Sequence, residues 1–258
     1  MSNDILWENP KNLRCENSLT GRWEDYTSTG ESFRDCLYVE KIGQPIADEF
    51  YTRYLHATQI RRYDYKNPSQ RFLQDLDVDC SIQLYAKSLD VFWLNFSEKF
   101  RQWDTGDMCI ELWSDFEGKK QGWAVKPTNT GEGPDYYLYV TPKHFYEVCA
   151  NRYFYDMVKK VSTEWDWDTI DRFIQAEEKK QGRDHSCNGV YPCKIWGHNA
   201  ELLKSWTRVG DKEWYGVCIC IPWKTLFNEF LLDIKMFDRD YNKLNINKEY
   251  AVNRSTDC

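Results

Sequence analysis

Three ionisable side chains, Asp79, Lys99 and Glu111, fall on the polar sides of three successive stretches of alternating sequence. Carboxylates converging from neighbouring strands suit a hard, oxygen-seeking cation such as Mg²⁺, whose shell is completed by water and a substrate phosphate. A lysine beside them can stabilise charge developing at phosphorus, or help to deprotonate an attacking water. Charges in such places are costly to bury unless they pair or bind a metal. The alternative is a plain cluster of surface charges joined by salt bridges.

The elements that must position them are written in the alternation. Over residues 77–84, Val78, Cys80, Ile82 and Leu84 fall on one side and Asp77, Asp79, Ser81 and Gln83 on the other. Over 91–101, Phe92, Leu94, Phe96 and Phe100 oppose Asn95, Ser97, Lys99 and Arg101. After a turn at Thr105-Gly106, residues 107–113 place Met108, Ile110 and Leu112 opposite Asp107, Cys109 and Glu111. This period of two predicts three neighbouring strands of one sheet, packed on one face and polar on the other. A helix is expected over 45–55, opened by Pro45, with Ile46, Phe50, Tyr54 and Leu55 on its apolar side. A short β-like stretch follows over 58–65. Downstream, 136–140 reads as a strand, 143–160 and 167–180 as helices, 214–221 as a strand, and 223–232 as a helix begun near Pro222. The order specifies an α+β (mixed α/β) fold.

The chain has 258 residues, with 12 Trp, 17 Tyr and 13 Phe, enough large side chains to build a substantial core. Its net charge of −7 argues against a broadly basic nucleic-acid coat, while leaving room for a local basic groove or a metal-assisted phosphodiester site. No apolar run is long enough for a signal peptide or a membrane span, so an intracellular protein with no membrane partner is expected. The ten cysteines are scattered, and Cys80, Cys109, Cys218 and Cys220 sit inside apolar runs, where reduced thiols behave as small hydrophobes.

The stretches Leu73-Gln74-Asp75-Leu76-Asp77-Val78-Asp79, Ser97-Glu98-Lys99-Phe100-Arg101, Gly106-Asp107-Met108-Cys109-Ile110-Glu111-Leu112, Gly122-Trp123 and Pro134-Asp135-Tyr136-Tyr137-Leu138-Tyr139 form an ordered series. The series resembles the PD-(D/E)XK nuclease superfamily, in particular its small phage- and plasmid-type members. The resemblance covers residues 45–141, with a weaker echo over 216–226. It implies a restriction-endonuclease-like αβββαβ core with helical and strand additions, a Mg²⁺ (or Mn²⁺) site, and hydrolysis of DNA or, less often, RNA. On that division residues 1–44 are an N-terminal surface segment, 45–141 the nuclease-like core, 142–238 additions packed on it, and 239–258 a polar tail.

Carried across position by position, the resemblance makes Asp79 the metal-binding acid, with Asp77 as its competitor, and Lys99 the catalytic lysine. The chain departs from the pattern two residues before the lysine, where Ser97 stands in place of the acid. Glu98 is adjacent but points to the apolar face in a regular strand. A β-bulge would turn Glu98 toward Asp79. Alternatively Glu111 or Asp107 supplies the carboxylate, or the protein is a catalytically silent nuclease-fold protein that binds nucleic acid or a protein partner, as in phage–host conflict. The bulge is the favoured expectation, so Asp79, Glu98 and Glu111 are the expected metal ligands, and Glu49 is a further acid on the preceding helix.

Other patterns have plainer competitors. Arg61, Arg62, Lys66 and Arg71 interleave with Tyr63 and Tyr65, a composition suited to phosphate contact and base stacking or to a solvated hairpin edge. Arg101 joins Arg61 and Arg62 as an expected nucleic-acid contact. His185, Cys187, Cys193 and His198 offer four zinc-type ligands, at a spacing that fits no common finger. Trp165, Trp167 and Trp206 are expected in the core or at an interface, and Glu177-Glu178-Lys179-Lys180 reads as a solvated helix end.

Overall fold

The computed structural model describes residues 14–16, 23–25, 33–64, 67–86, 90–101, 104–130, 132–183, 185, 188–209 and 212–249. A short hairpin of β1 (Arg14–Glu16) and β2 (Trp23–Asp25) precedes helix α1 (Phe33–Arg53). Then come β3 (Gln59–Arg62), α2 (Arg71–Asp75), β4 (Cys80–Tyr85), β5 (Val91–Phe100), β6 (Asp107–Asp115) and β7 (Lys120–Gln121). These lead through α3 (Lys126–Thr130) to β8 (Tyr136–Val140) and β9 (His144–Cys149), and on to helices α4 (Arg152–Glu164) and α5 (Trp167–Gln181). The chain closes with β10 (Gly189–Ile195), β11 (His198–Val209), β12 (Lys212–Pro222), α6 (Trp223–Asn228), β13 (Ile234–Asp238), β14 (Lys243–Leu244) and α7 (Ile246–Glu249).

The fold is mixed α+β, built on two main sheets. One has seven strands in the order β14-β13-β9-β8-β5-β4-β3, the other five in the order β10-β11-β12-β6-β7. Neighbours in the seven-stranded sheet are antiparallel except β5 and β8, which run parallel. Alternation divides its side chains between two cores. Cys80, Ile82, Phe96, Leu138, Val140 and Phe145 meet Ala47, Phe50 and Tyr51 of α1. Tyr137, Tyr139, Tyr146 and Val148, on the opposite side, join Met108, Ile110, Leu112, Val217 and Ile219 of the five-stranded sheet, with α4 and α5 contributing Phe154, Val158, Ile170 and Ile174. Of the expected core tryptophans, Trp165 is buried, and Trp167 and Trp206 pack against the same cluster.

Several expectations are corrected here. β4 and β5 pair as predicted, but β6 belongs to the other sheet, where its partners are β12 and β7. There its apolar face, Met108, Ile110 and Leu112, packs into the core shared with Tyr137 and Tyr139 of the seven-stranded sheet. Helix α1 begins at Phe33, so Pro45 lies within it and not in its first turn; Val39, Ala47, Phe50 and Tyr51 carry one buried side across the proline. Residues 144–149 form a strand where the start of a helix was expected. Phe145, Tyr146 and Val148 alternate between the two cores, and the helix starts only after Asn151, whose side chain accepts from Tyr153 N and Phe154 N. Residues 142–238 supply strands to both main sheets. Of the expected terminal segments, residues 1–13, 17–22, 26–32 and 250–258 lie outside the described residues. The expectation of wholly reduced cysteines is also corrected. Cys109 and Cys220 stand directly opposite one another on β6 and β12 and are disulfide-bonded, whereas Cys80, Cys149, Cys193 and Cys218 are free. No described helix is long and apolar enough to cross a membrane.

Candidate active site

The turn that enters β4 builds the first half of the site. After α2 the chain reverses with Asp77 in a left-handed conformation (φ 60°), one that aspartate adopts more readily than most residues. Asp79 N then donates to Phe96 O at 2.9 Å, tying the start of β4 to β5. Because β5 alternates, Ser97 and Lys99 share the side of the strand that faces these two acids. Lys99 Nζ donates to Asp77 Oδ1 and Oδ2 at 2.9 and 3.0 Å. Ser97 Oγ donates to Asp77 Oδ2 at 2.7 Å and lies 3.3 Å from Asp79 Oδ2, so the serine in the acid's place bridges the two aspartates. Asp79 Oδ2 also accepts from Glu98 N at 2.7 Å.

The second half comes from β6 and the turn after β7. Glu111 Oε2 accepts from Trp123 N at 3.0 Å, and the Trp123 ring lies under Lys99, its centroid 4.5 Å from Nζ. Gly122 is needed there, since a β-carbon at that position would come 2.2 Å from the Glu111 carbonyl oxygen. Of these groups, Asp79, Lys99 and Trp123 line a cleft of about 370 Å³, together with Glu40, Glu98, Arg101 and Cys218; Glu111 is not part of its lining. Glu40 is an addition that sequence reasoning missed, because it belongs to the part of α1 preceding the expected helix.

Electrostatically the site is short of positive charge. Burial pushes the Asp79 carboxyl up to about 7, with Lys99 opposing and Asp77 adding to the rise. Burial likewise raises Glu111, against the pull of the Trp123 amide and Lys99. Burial would lower Lys99, but Asp77 and Asp79 outweigh it and hold the ammonium above its usual range. The lysine is therefore a fixed cation, and the acids around it favour either a proton or a metal.

Carboxylates such as Asp79 and Glu111 could serve a Mg²⁺ or Mn²⁺ ion of the kind that takes one or two carboxylates and fills its shell with water and phosphate. Among the described residues, Asp79 Oδ1 and Glu111 Oε1 receive no hydrogen-bond donor. The fit is to an open site. Asp77, Asp79 and Glu111 do not all come within 4.8 Å of one another, whereas Asp107, Cys109 and Cys220 do, with both sulfurs committed to the disulfide.

Glu98 is a correction. The register of β5 with β8 is unbroken from Phe96 to Phe100, so no bulge turns it toward Asp79. It points to the α1 side, where Arg62 Nη1 donates to Oε2 at 2.6 Å and Tyr51 OH to Oε1 at 3.0 Å. A buried carboxylate needs a cation, and Arg62 supplies it. Arg62 in turn reaches Asp48 Oδ1 at 2.6 Å, so its charge is spent within the protein. Arg101 contacts Asp107 Oδ1 at 3.4 Å and Cys109 Sγ at 2.5 Å on the cleft wall, while Arg61 is exposed over the Trp93 ring. Glu49 pairs with Arg53 on the exposed side of α1. Lys66 and Tyr65 of the basic patch lie outside the described residues.

The zinc set does not assemble among the described residues. His185 Nδ1 bonds Glu178 Oε2 at 2.8 Å, Cys193 sits opposite Ala200, and His198 is at the β10–β11 turn; Cys187 lies outside the described residues. Glu178 itself, expected in solvent, is buried and accepts from the buried Lys204 at 2.6 Å and from Tyr191 OH at 3.1 Å. A larger cleft of about 1010 Å³, lined by Asp104, Asp107, His198, Glu201 and Lys224, adjoins the disulfide. Its Asp107 is also raised by burial, against Arg101, but no buried lysine lines it. Compared with known proteins, the chain matches no family model, no curated protein and no solved structure.

Proposed function

We propose that the cleft lined by Asp79 and Lys99, with Glu111 close by on β6, hydrolyses phosphodiester bonds of nucleic acid with Mg²⁺ or Mn²⁺, DNA being the more expected substrate. The observation that carries this reading is one buried lysine set among three acids, two of which are pushed upward by burial. The order of elements supports it. Helix α1, strands β3, β4 and β5, helix α3 and a fourth strand, β8, parallel to β5, occur in the αβββαβ order once the short helix α2 between β3 and β4 and the strands β6 and β7 of the second sheet are set aside. Asp79 and Glu111 would hold the ion, with Asp77 beside them. The bound ion would lower the pKa of a water and offset charge on the phosphate. Lys99 stays protonated and stabilises negative charge developing at phosphorus. Ser97 and Glu98 N hold the Asp79 carboxylate, and Trp123 N holds Glu111.

The test is incubation with single-stranded DNA, duplex DNA and RNA in Mg²⁺ or Mn²⁺, with EDTA as control. Metal-dependent cleavage that falls at least 100-fold in Asp79→Ala and in Lys99→Ala is expected, on the order of the effect of a single charge-stabilising group. A second reading, a catalytically silent protein of the same fold, is favoured by Ser97 in the acid's place. Cleavage of none of these substrates, together with no metal-induced rise in melting temperature, would establish it.

A further inference from the structure

The β3-β4-β5 meander runs on past the cleft as an arm. β8 pairs with β5 only from Phe96 onward, so residues 91–95 of β5 have β4 as their strand partner. Cross-strand partners share a face. Arg61, Ser81 and Asn95 therefore form one row, Gln59, Gln83 and Trp93 the next, and Tyr85 and Val91 the last. By the two-residue period this is the face of β5 that carries Ser97 and Lys99. The Arg61 guanidinium lies 4.1 Å from the Trp93 ring centroid, Tyr85 is 57% exposed and Val91 47%, and Tyr63 OH is 2.7 Å from Ser81 Oγ. Arg61 has no ion pair among the described residues, unlike its neighbour Arg62.

The exposed Tyr85 ring, the half-buried Trp93 ring with the Arg61 guanidinium stacked on it and free of any ion pair among the described residues, and the side-chain amides of Gln59 and Gln83 make a stacking platform on one sheet face, which suits unpaired bases because every base offers a π face. A duplex keeps those faces stacked inside and shows only base edges. The stretch from Lys99 back to Trp93 spans about 20 Å, room for on the order of four nucleotides. We infer that this arm face is the binding track for a single-stranded polynucleotide, leading the strand to the Asp79–Lys99 cleft. The inference rests on the phosphodiesterase reading and adds to it the strandedness of the substrate.

Binding in EDTA separates the two claims, because no metal is needed for stacking. The full chain is titrated into fluorescein-labelled oligo(dT), oligo(U) and a duplex, each about 12 nucleotides long, and followed by anisotropy. Single strands should bind at least tenfold more tightly than the duplex, and the preference between dT and U distinguishes DNA from RNA. Trp93→Ala and Tyr85→Ala should each weaken single-strand binding about tenfold, one lost base stack. Arg61→Ala should weaken it and lower the salt dependence by about one ion. Phe92→Ala, on the opposite face of β5 and 39% exposed, should bind as the wild type does. Equal or tighter duplex binding, no single-strand binding, or arm variants that bind like wild type would overturn the track. If the arm variants lose binding but no substrate is cut with Mn²⁺, the track stands and the cleavage reading falls. If duplex is cut equally well by wild type and by Trp93→Ala, the cleavage reading stands and the track falls.

Discussion

Replacing Glu98 by Gln should cost stability and leave metal-dependent cleavage in place. Its carboxylate is buried against Arg62 and Tyr51, and breaking a buried pair from one side costs about 3–5 kcal/mol. Urea unfolding reads the loss; a folded Glu98→Gln protein without cleavage would instead place Glu98 in the chemistry. Asp79 gives a second residue-scale prediction. In the folded, metal-free chain its carboxyl is raised to about 7 from 3.8. Between those values the folded state binds more protons than the unfolded state, so stability falls as pH rises. The fall is on the order of a few kcal/mol. Melting curves in EDTA from pH 5 to pH 8 should slope downward (about three pH units of titration), and Asp79→Asn should flatten them.

At the scale of elements, the turn around Gly122 holds both Glu111 and Trp123 in place. Gly122→Ala would drive a β-carbon into the Glu111 carbonyl oxygen, which belongs to the backbone and has little freedom to move. A loss of about 1–3 kcal/mol is expected from such overpacking, together with loss of the metal-induced rise in melting temperature. Helix α1 is placed with similar closeness, Gly43 lying against the Phe100 ring. β4 and β5 were legible in the sequence because alternation and a short connection suffice to define a hairpin, and Asp79, Ser97 and Lys99 follow from it. β6 was legible as a strand but not as to its sheet, since an apolar face demands burial without naming a partner. The partner, β12, lies far along the chain. Glu98 was misjudged because its cation, Arg62, had been given to nucleic acid. Glu178 looked solvated because its partner Lys204 comes from a strand that i,i+4 reasoning within the helix cannot reach.

At the scale of the whole molecule, the two halves of the site belong to different sheets, Asp79 and Lys99 to the seven-stranded one and Glu111 to the five-stranded one. Within the five-stranded sheet the Cys109–Cys220 disulfide ties β6 to β12 and closes a loop of 111 residues. Reducing it with a dithiol should lower stability by up to about 4 kcal/mol on chain-entropy grounds; urea unfolding with and without reductant measures this, and Cys220→Ser should match the reduced wild type. The pairing of β6 with β12 also has a consequence for synthesis. A chain leaves the ribosome from its N-terminus, so the strand that brings Glu111 into place emerges well before the strand that must lie beside it. At about 5–20 residues per second, roughly 5–20 s separate the emergence of Glu111 from that of its partner strand. Throughout that interval β6 lacks the strand that lies beside it at Glu111, so the edge that β12 later covers is open on the nascent chain.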